Sequence, residues 1–385
     1  MPSQILNDLF EQASQAGASD IHIAVGKPPL MRVNGEILPI GSVKEGPASP
    51  SRATPRQEGK ETLTVAPPDL ATTDVEQMVR GMLKAPQVER FEREREIDLS
   101  YQVASGIRFR VNCHYEREHM GFVARVIPDV IPSMEEIHMP AIAKDIIHAD
   151  RGIILATGPT GSGKSATLAS MIEEINKERP VHIVTLEDPI EFLYHAKKAL
   201  IRQRQFGTDF LSFGEAMKRV LRQDPDVILV GEMRDLETIA AALTLAETGH
   251  LVFGTLHTNN AAQTMDRVID VFPPHQQSQI RTQLSMTLKA VIAQRLVPRK
   301  GGGRIAIREV LLNSPAVANI IRDNRIAELQ NVIQTSAAEG MITVDRDIAR
   351  LVSEGLIEKE VAEEYVHDRE ALKRVKVPKA KKGWF

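Results

Sequence analysis

GPTGSGKS, at positions 158–165, is the stretch of this sequence that decides the fold. It matches the phosphate-binding pattern G-x-x-x-x-G-K-[ST] at every fixed position. An apolar run that predicts a strand, Ile153–Thr157, precedes it, and a segment that predicts a helix follows from Ser165. Because this strand–loop–helix context accompanies the pattern, we interpret residues 158–165 as a loop that binds nucleotide phosphates, and we call it the phosphate loop.

The phosphate loop predicts a separate role for each kind of residue in it. Its glycines let backbone N–H groups converge on phosphate oxygens, and the helix that follows adds its positive end. Lys164 is expected to reach the β- and γ-phosphates and the Ser165 hydroxyl to ligate Mg²⁺, so ATP and Mg²⁺ are the expected cofactors. The residues expected to contact the nucleotide are Gly158, Pro159, Thr160, Gly161, Ser162, Gly163, Lys164, Ser165 and Ala166.

Around this loop, short apolar strands alternate with helices. The predicted strands are Gly152–Thr157, Val181–Leu186, Val227–Val230 and Leu251–Thr255, and the predicted helices include Ser165–Asn176, Phe213–Arg222 and Leu236–Glu247. Such alternation predicts an α/β fold with a parallel sheet covered on both faces. Beyond Arg295 a ribbon-like stretch is broken by three glycines at 301–303, and helices are expected from Pro315 to about Lys373.

The first 132 residues predict a separate, small α+β domain. A helix is expected over residues 4–15, a hairpin over Leu30–Pro39 and a helical stretch over Thr72–Arg95. Further strands are expected at Asp20–Val25, Ile97–Val103, Ile107–Tyr115 and Gly121–Ile127. The predicted organisation is thus an N-terminal domain at 1–132, a linker at 133–140, the domain of the phosphate loop at 141–373 and a basic tail at 374–385.

Residues 41–68 differ in character from the rest of the N-terminal region. They contain no aromatic residue and are rich in Pro, Gly, Ser, Thr and charge. Such a stretch cannot bury enough apolar surface to offset its chain entropy. We therefore predict that most of it is a disordered surface loop.

The composition excludes several classes of protein. Lys and Arg number 48 against 51 Asp and Glu, for a net charge of −3, which argues against bulk nucleic-acid binding. The single cysteine, Cys113, permits neither an intramolecular disulfide nor a cysteine-based zinc site. The sequence shows neither a signal peptide nor an apolar run of about 20 residues, so we expect a soluble, cytoplasmic protein.

Four carboxylates are expected at the carboxyl ends of two predicted strands. Glu187, Asp188 and Glu191 follow the strand that ends at Leu186, and Glu232 follows Val230-Gly231. In parallel sheets, ligand sites lie at the carboxyl ends of strands, so these acids should face the same crevice as Lys164. We predict that they ligate the metal together with Ser165, and that Glu232 polarises the attacking water. The alternative for residues 187–191 is a solvated acidic loop.

Two histidines and three arginines have roles that spacing alone leaves open. His250 precedes the strand Leu251–Thr255 and His257 follows it, so either could orient the acidic loop or be structural. Arg108, Arg110 and Arg125 project from strands of the small domain. They are either solvated strand residues or charges that stabilise the transition state from a neighbouring domain or subunit.

Four motifs in this order resemble those of the secretion-ATPase superfamily, and most closely those of the PilT-type retraction ATPases of type IV pili. They are the phosphate loop, the EDPIE box, LRQDPDVILVGEMRD and TGHLVFGTLHTNNA, and the opening GASDIHIAVGKPPLMRVNGEI also resembles that family's N-terminal domain. The segment Ala318–Asp323 loosely resembles the family's retraction motif AIRNLIRE, and its poorly matching first residues leave a PilU-like accessory motor open. Residues 41–68 are longer than the family's usual loop.

The resemblance implies a fold, an assembly and a set of roles. The small domain would be PAS-like and the second RecA-like, in a homohexamer that binds ATP between the two domains. Glu232 would be the catalytic glutamate, Glu191 the acidic-box glutamate, and His250 and His257 the histidine-box residues; Arg110 and Arg125 would reach the nucleotide. The implied partners are an inner-membrane platform protein similar to PilC and a paralogous retraction ATPase, which would place the protein at the inner membrane through the pilus machinery.

The resemblance implies that ATP hydrolysis is coupled to domain rotation and powers pilus retraction and twitching motility. The first alternative is a pilus assembly or type II secretion motor of the same superfamily, but such motors usually carry an extra N-terminal domain and a tetracysteine zinc element. The second is a non-hydrolysing scaffold that responds to nucleotide. A small-molecule kinase is disfavoured because nothing else in the chain resembles an acceptor site.

Overall fold

The computed structural model describes residues 4–33, 35–41, 68–127, 130–368 and 372. The chain divides into two compact units, Met1–Val130 and Ile131–Phe385. The loop predicted at 41–68 lies outside the described residues except for its two end positions, and so does the tail predicted at 374–385.

The first unit is built on an antiparallel sheet. Its elements are α1 (Gln4–Gln15), β1 (Asp20–Ile23), β2 (Leu30–Val33), β3 (Glu36–Pro39), α2 (Thr72–Met82), α3 (Ala85–Glu94), β4 (Glu96–Gln102), β5 (Arg108–Glu116) and β6 (His119–Ile127). Its six described strands follow the order β3-β2-β1-β6-β5-β4. The predicted α+β organisation of this region is confirmed.

Aromatic packing holds α1 against this sheet. Phe10 is fully buried, with its ring centroid 4.2 Å from that of Phe109 and 6.0 Å from that of Phe122. Along β5, Phe109, Val111 and Cys113 are buried while Arg110 is exposed, as expected for a strand with one face on the core.

The helical stretch predicted at Thr72–Arg95 is two helices, which corrects the prediction of a continuous one. Leu83 and Lys84 adopt extended backbone conformations between α2 and α3. Pro86 lies in the first turn of α3, where its missing N–H needs no partner. In the interior of one long helix, that missing donor and the proline ring would break the hydrogen-bond ladder.

The second unit contains the phosphate loop. Its elements are α4 (Ile142–Ile147), β7 (Gly152–Thr157), α5 (Lys164–Glu178), β8 (His182–Glu187), β9 (Leu200–Gln205), α6 (Phe213–Val220), β10 (Val227–Val230), α7 (Leu236–Glu247), β11 (Leu251–Leu256), α8 (Ala261–Asp270), α9 (Pro274–Thr287), β12 (Leu288–Pro298), β13 (Arg304–Leu312), α10 (Pro315–Arg322), α11 (Leu329–Thr335), α12 (Val344–Ser353) and α13 (Lys359–Tyr365).

These strands form one mixed sheet in the order β13-β12-β7-β11-β10-β8-β9. All neighbouring pairs are parallel except β12 with β13. Every residue of β7, β10 and β11 is buried, because α4 and α5 cover one face and α6 to α11 the other. The predicted parallel α/β sheet is therefore confirmed, and the carboxyl ends of β7, β8, β10 and β11 meet at one edge.

Strand β9 was not predicted from the sequence. It lies at the edge of the sheet beside β8, and after Leu200 and Ile201 all of its residues have long polar side chains. An edge strand of this kind lacks the continuous apolar pattern that identifies a buried parallel strand.

No helix among the described residues is long and apolar enough to cross a lipid bilayer.

Candidate nucleotide site

The phosphate loop depends on glycine at two of its positions. Gly158 has φ +143°, and a Cβ there would lie 2.2 Å from the Gln294 carbonyl oxygen. Gly163 has φ +88° directly before α5, and a Cβ there would lie 3.2 Å from Gln294 Nε2. These positions combine a left-handed backbone with close packing, which only glycine tolerates. The loop can therefore bring its backbone N–H groups to the start of α5.

Lys164 is folded back onto its own loop. Its Nζ donates hydrogen bonds to the carbonyl oxygens of Gly158 at 2.8 Å and Pro159 at 3.1 Å. Burial lowers the pKa of Lys164, while the negative charges of Glu232 and Glu191 act in the opposite direction. Both carboxylates are thus close enough to act on the ammonium, as predicted from their positions at the carboxyl ends of strands.

Two buried hydroxyls lie in or directly before the phosphate loop. In the described part of the chain, the Oγ1 of Thr157, at the end of β7, and the Oγ of Ser162, within the loop, have no hydrogen-bond partner. Buried hydroxyls normally have one, so the loop has spare hydrogen-bonding capacity beside its backbone N–H groups. This donor set fits phosphate oxygens.

Glu232 lies beyond the carboxyl end of β10, where its carboxylate contacts the side chains of Arg234 and His257. Arg234 donates two hydrogen bonds to the Glu232 carboxylate, from Nε to Oε1 and from Nη2 to Oε2, each at 2.6 Å. His257 Nε2 lies 3.2 Å from Glu232 Oε1. Partial burial acts to raise the pKa of Glu232, but the Arg234 and His257 contacts outweigh it and hold the pKa below its usual value. Glu232 is therefore an oriented, ionised carboxylate.

A cavity of about 500 Å³ opens in front of this carboxylate. Its lining includes Glu232, Arg234, His257, Thr258 and Arg267. The backbone beneath it is fixed by β11, because Thr255 Oγ1 donates to the Gly231 carbonyl oxygen. The cavity thus joins an ionised acid to several cationic or polar groups, a combination suited to a polyanionic ligand and the water that attacks it.

The two predicted histidines lie at opposite ends of β11. His257 follows the strand and contacts Glu232. His250 precedes it, and its Nδ1 lies 3.0 Å from the Leu245 carbonyl oxygen. The structure places His257, but not His250, in contact with Glu232, and the role of each histidine at the nucleotide stays a prediction. In a parallel sheet the residue before a strand lies at the edge away from the site.

The three acids of the acidic box, predicted as metal ligands, differ in their exposure. Among the described residues, no group of three or more His, Cys, Asp or Glu side chains could hold a metal ion. Glu187 is buried, and its Oε1 accepts hydrogen bonds from Thr185 at 2.6 Å and Gln203 at 3.2 Å. Asp188 and Glu191 are exposed. Residues of β8 and β9 thus hold Glu187 Oε1, and the assignment of Glu187 as a metal ligand stays a prediction.

Burial of Glu187 predicts a pH-dependent stability. Burial raises its pKa from 4.5 to about 7, so the folded chain binds a proton that the unfolded chain has lost between these values. The contribution of Glu187 to the free energy of unfolding is therefore complete below about pH 4.5. It is lost as the pH rises from there through about 7. Glu187→Gln cannot lose this proton, so its free energy of unfolding should not show this fall with pH, which amounts to at most about 3 kcal/mol in wild type.

Urea unfolding at pH 5 and pH 8 measures this change. Wild type should lose more stability between the two pH values than Glu187→Gln does, and exposed Glu191→Gln should behave as wild type. An equal pH dependence in wild type and Glu187→Gln would contradict the raised pKa.

The predicted arginines belong to the first unit. Arg110 lies directly opposite Arg125 in the β5–β6 ladder. Arg125 is 69% exposed, and its Nε lies 2.9 Å from Asp20 Oδ1. Although partial burial acts to raise the pKa of Asp20, hydrogen bonds from Arg125 and Ser19 hold it below its usual value. The two arginines therefore present a pair of positive charges on one face of the sheet.

Sequence reasoning missed two residues at this site. Arg234 donates to Glu232 from two positions further along the chain. The motif GEMRD contains both residues, so the sequence could have indicated this contact. Gln294 contacts Ser162 of the phosphate loop although the two residues are 132 positions apart in the sequence. No local sequence pattern around Gln294 predicts this contact.

Comparison with known proteins adds a family to this geometry. A family model described as Type II/IV secretion system protein matches residues 132–366. The type IV pilus retraction ATPase PilT of Pseudomonas aeruginosa is 42% identical over 359 residues, which are 93% of this chain and 97% of that protein. A twitching motility protein of Neisseria gonorrhoeae is 47% identical over 306 residues, 79% of this chain and 82% of that protein.

A solved structure extends the likeness to three dimensions. The crystal structure of the pilus retraction motor PilT with bound ADP superposes with a TM-score of 0.82 at 38% identity, and covers 96% of this chain and 98% of that one. The predicted fold class, a PAS-like N-terminal domain followed by a RecA-like ATPase domain, is confirmed. The chain belongs to the Type II/IV secretion system protein family, and within it to the PilT-type retraction ATPases.

Proposed function

We propose that this chain is an ATPase motor that couples Mg²⁺-ATP hydrolysis to domain rotation and so powers pilus retraction and twitching motility. The observation that carries the proposal is that Lys164 follows β7 and Glu232 follows β10 at the same edge of the sheet, where the charge of Glu232 acts to raise the pKa of Lys164. A phosphate-binding lysine and an oriented carboxylate are the two groups that hydrolysis of a bound triphosphate needs. The 42% identity to a retraction ATPase supplies the direction of the work.

The phosphate loop binds and orients the triphosphate. Backbone N–H groups of the loop other than those of Gly158 and Ser162, which donate to the Leu256 and Pro159 carbonyl oxygens, would face the phosphates at the start of α5. The Lys164 ammonium would neutralise the β- and γ-oxygens. The Ser165 hydroxyl, at the second position of α5, is the ligand that this chain offers to Mg²⁺. When bound, Mg²⁺ withdraws charge from the phosphate oxygens. Asp188, Glu191 and Glu232, at the same edge of the sheet, are the carboxylates that would hold Mg²⁺ together with the Ser165 hydroxyl.

Glu232 orients the water that attacks the γ-phosphate. Its lowered pKa keeps it ionised at physiological pH, so it accepts a hydrogen bond from that water. Arg234 and His257 hold the carboxylate in place, since Arg234 contacts both of its oxygens at 2.6 Å and His257 contacts Oε1 at 3.2 Å. Exposed Glu191 is close enough to raise the pKa of Lys164, and we assign it a supporting role at the same edge.

Arg110 and Arg125 complete the site, and a ring of six copies carries the work. Their paired charges would stabilise the negative charge that builds up on the γ-phosphate, in the same or a neighbouring chain. A role for these arginines at the nucleotide would couple hydrolysis to domain rotation, because they belong to a different compact unit from Lys164. His250 lies away from the site of its own chain, so any contact it makes with nucleotide is to a neighbouring copy.

The motor would act at the inner membrane on a platform protein similar to PilC, drawing pilin subunits back from the pilus. An accessory retraction motor that works beside a paralogue is the second candidate. It is favoured by α10, whose segment Ala318–Asp323 matches the retraction motif only in part. Both candidates share the chemistry of Lys164 and Glu232.

Two measurements test this function. The purified chain should release phosphate from ATP in the presence of Mg²⁺, and a chain that binds ATP without releasing phosphate would be a scaffold instead. A strain that lacks the chain should carry long, unretracted pili. Absent pili would indicate an assembly motor, and normal retraction that fails only together with a second deletion would indicate the accessory role.

A further inference from the structure

Gln294 of β12 contacts the phosphate loop through both ends of its amide. Its Nε2 donates to the Ser162 carbonyl oxygen at 2.7 Å, and its Oε1 accepts from Thr167 Oγ1 at 2.8 Å. Gln294 is 4% exposed and Thr167 is 1% exposed, so water does not compete for these bonds. One side chain therefore fixes both the loop and the first turn of α5.

The two glycines at the ends of the motif also pack on Gln294. A Cβ at Gly158 would lie 2.2 Å from the Gln294 carbonyl oxygen, and a Cβ at Gly163 would lie 3.2 Å from its Nε2. The phosphate loop thus packs against Gln294 at two separate positions. Its shape is set by β12 as well as by its own sequence.

Strand β12 gives this side chain a rigid base. It pairs with β7, which leads into the phosphate loop, and with β13. Directly opposite Gln294 on β13 is Arg308, 1% exposed, which donates to the carbonyl oxygens of Ile137 at 3.0 Å and His138 at 3.1 Å. Two neighbouring buried polar side chains thus hold two different backbone segments to one hairpin, as buried polar groups require.

We propose that Gln294 is a positioning residue for nucleotide binding, which holds the phosphate loop in the geometry that accepts phosphates. The proposal rests on the proposed function, because it needs residues 158–165 to bind nucleotide. Gln294 touches backbone and Thr167 rather than the reacting atoms, so it acts through the loop. Its loss should weaken affinity for ADP and ATP alike and raise KM more than it lowers kcat.

The test uses two variants that preserve shape. Gln294→Met keeps the length of the side chain and removes both polar ends, and Thr167→Val removes the hydroxyl that Gln294 accepts from. Titration of the full-length protein with Mg²⁺-ADP and with a non-hydrolysable ATP analogue should show Kd raised about tenfold in Gln294→Met and about threefold in Thr167→Val. The double variant should bind no more weakly than Gln294→Met, since the shared bond is already lost.

Controls separate positioning from general damage. Gln276→Met, on the exposed surface of α9, should bind as wild type. Unchanged Kd in folded Gln294→Met would overturn the proposal, as would strictly additive effects of the two changes. If Gln294→Met does not fold, an unchanged Kd in Thr167→Val overturns it instead. A wild type that binds both nucleotides but releases no phosphate would refute the proposed motor and leave this comparison intact.

Discussion

Replacing Lys164 with alanine should abolish measurable ATP hydrolysis. The ammonium is the only cationic side chain within the phosphate loop, and its partial burial limits screening by water. Removing one such charge from a transition state lowers kcat by about 10²- to 10³-fold, and the loss of phosphate contacts weakens binding as well. Phosphate release at saturating ATP, together with nucleotide titration, measures both effects.

A matched control lies on the same helix. Lys177 is near the far end of α5 and forms a surface ion pair with Glu174 at 3.0 Å. Lys177→Ala should retain wild-type hydrolysis, because exposed pairs contribute little. Hydrolysis by Lys164→Ala within about threefold of wild type would show that the phosphates bind elsewhere.

Glu232→Gln should bind ATP and fail to turn it over. The amide keeps the size of the side chain but loses the negative charge that orients the attacking water, so kcat should fall by about 10²- to 10⁴-fold. Affinity should change little, because Lys164 and the loop backbone make the phosphate contacts. Single-turnover phosphate release and nucleotide titration on the same sample separate these two quantities.

Glu237→Gln provides the comparison for this change. Glu237 is exposed in the first turn of α7 and pairs with Lys218 at the surface. That variant should hydrolyse ATP as wild type does. If Glu232→Gln also kept the wild-type rate, the water-orienting group would have to be another residue of the site.

The parts of the fold that depend on short sequence patterns could be predicted. The apolar runs of β7, β10 and β11 predicted the parallel sheet correctly, and the phosphate loop follows β7 as its spacing predicted. Burial of a whole strand leaves a continuous apolar run, and a glycine-rich turn before a helix has few other uses. The position of His250 was also readable, because a residue before a parallel strand lies at the opposite edge.

The remainder depended on contacts between distant segments. Glu187 turns inward because β9 brings Gln203 opposite Thr185, and nothing in the EDPIE box reveals that neighbour. Gln294 resembles any other polar residue in a strand until β12 is placed beside β7. The break between α2 and α3 could have been read from Pro86, but helical periodicity on both sides hid it.

The central claim is that the phosphate loop and Glu232 act on one triphosphate. The most direct test is an experimental density map of Glu232→Gln with Mg²⁺-ATP, in which slow turnover preserves the substrate. The account predicts the γ-phosphate against Lys164 Nζ, with a single water between it and the amide introduced at position 232. A triphosphate bound at the loop while position 232 lies beyond the reach of one bridging water would contradict it.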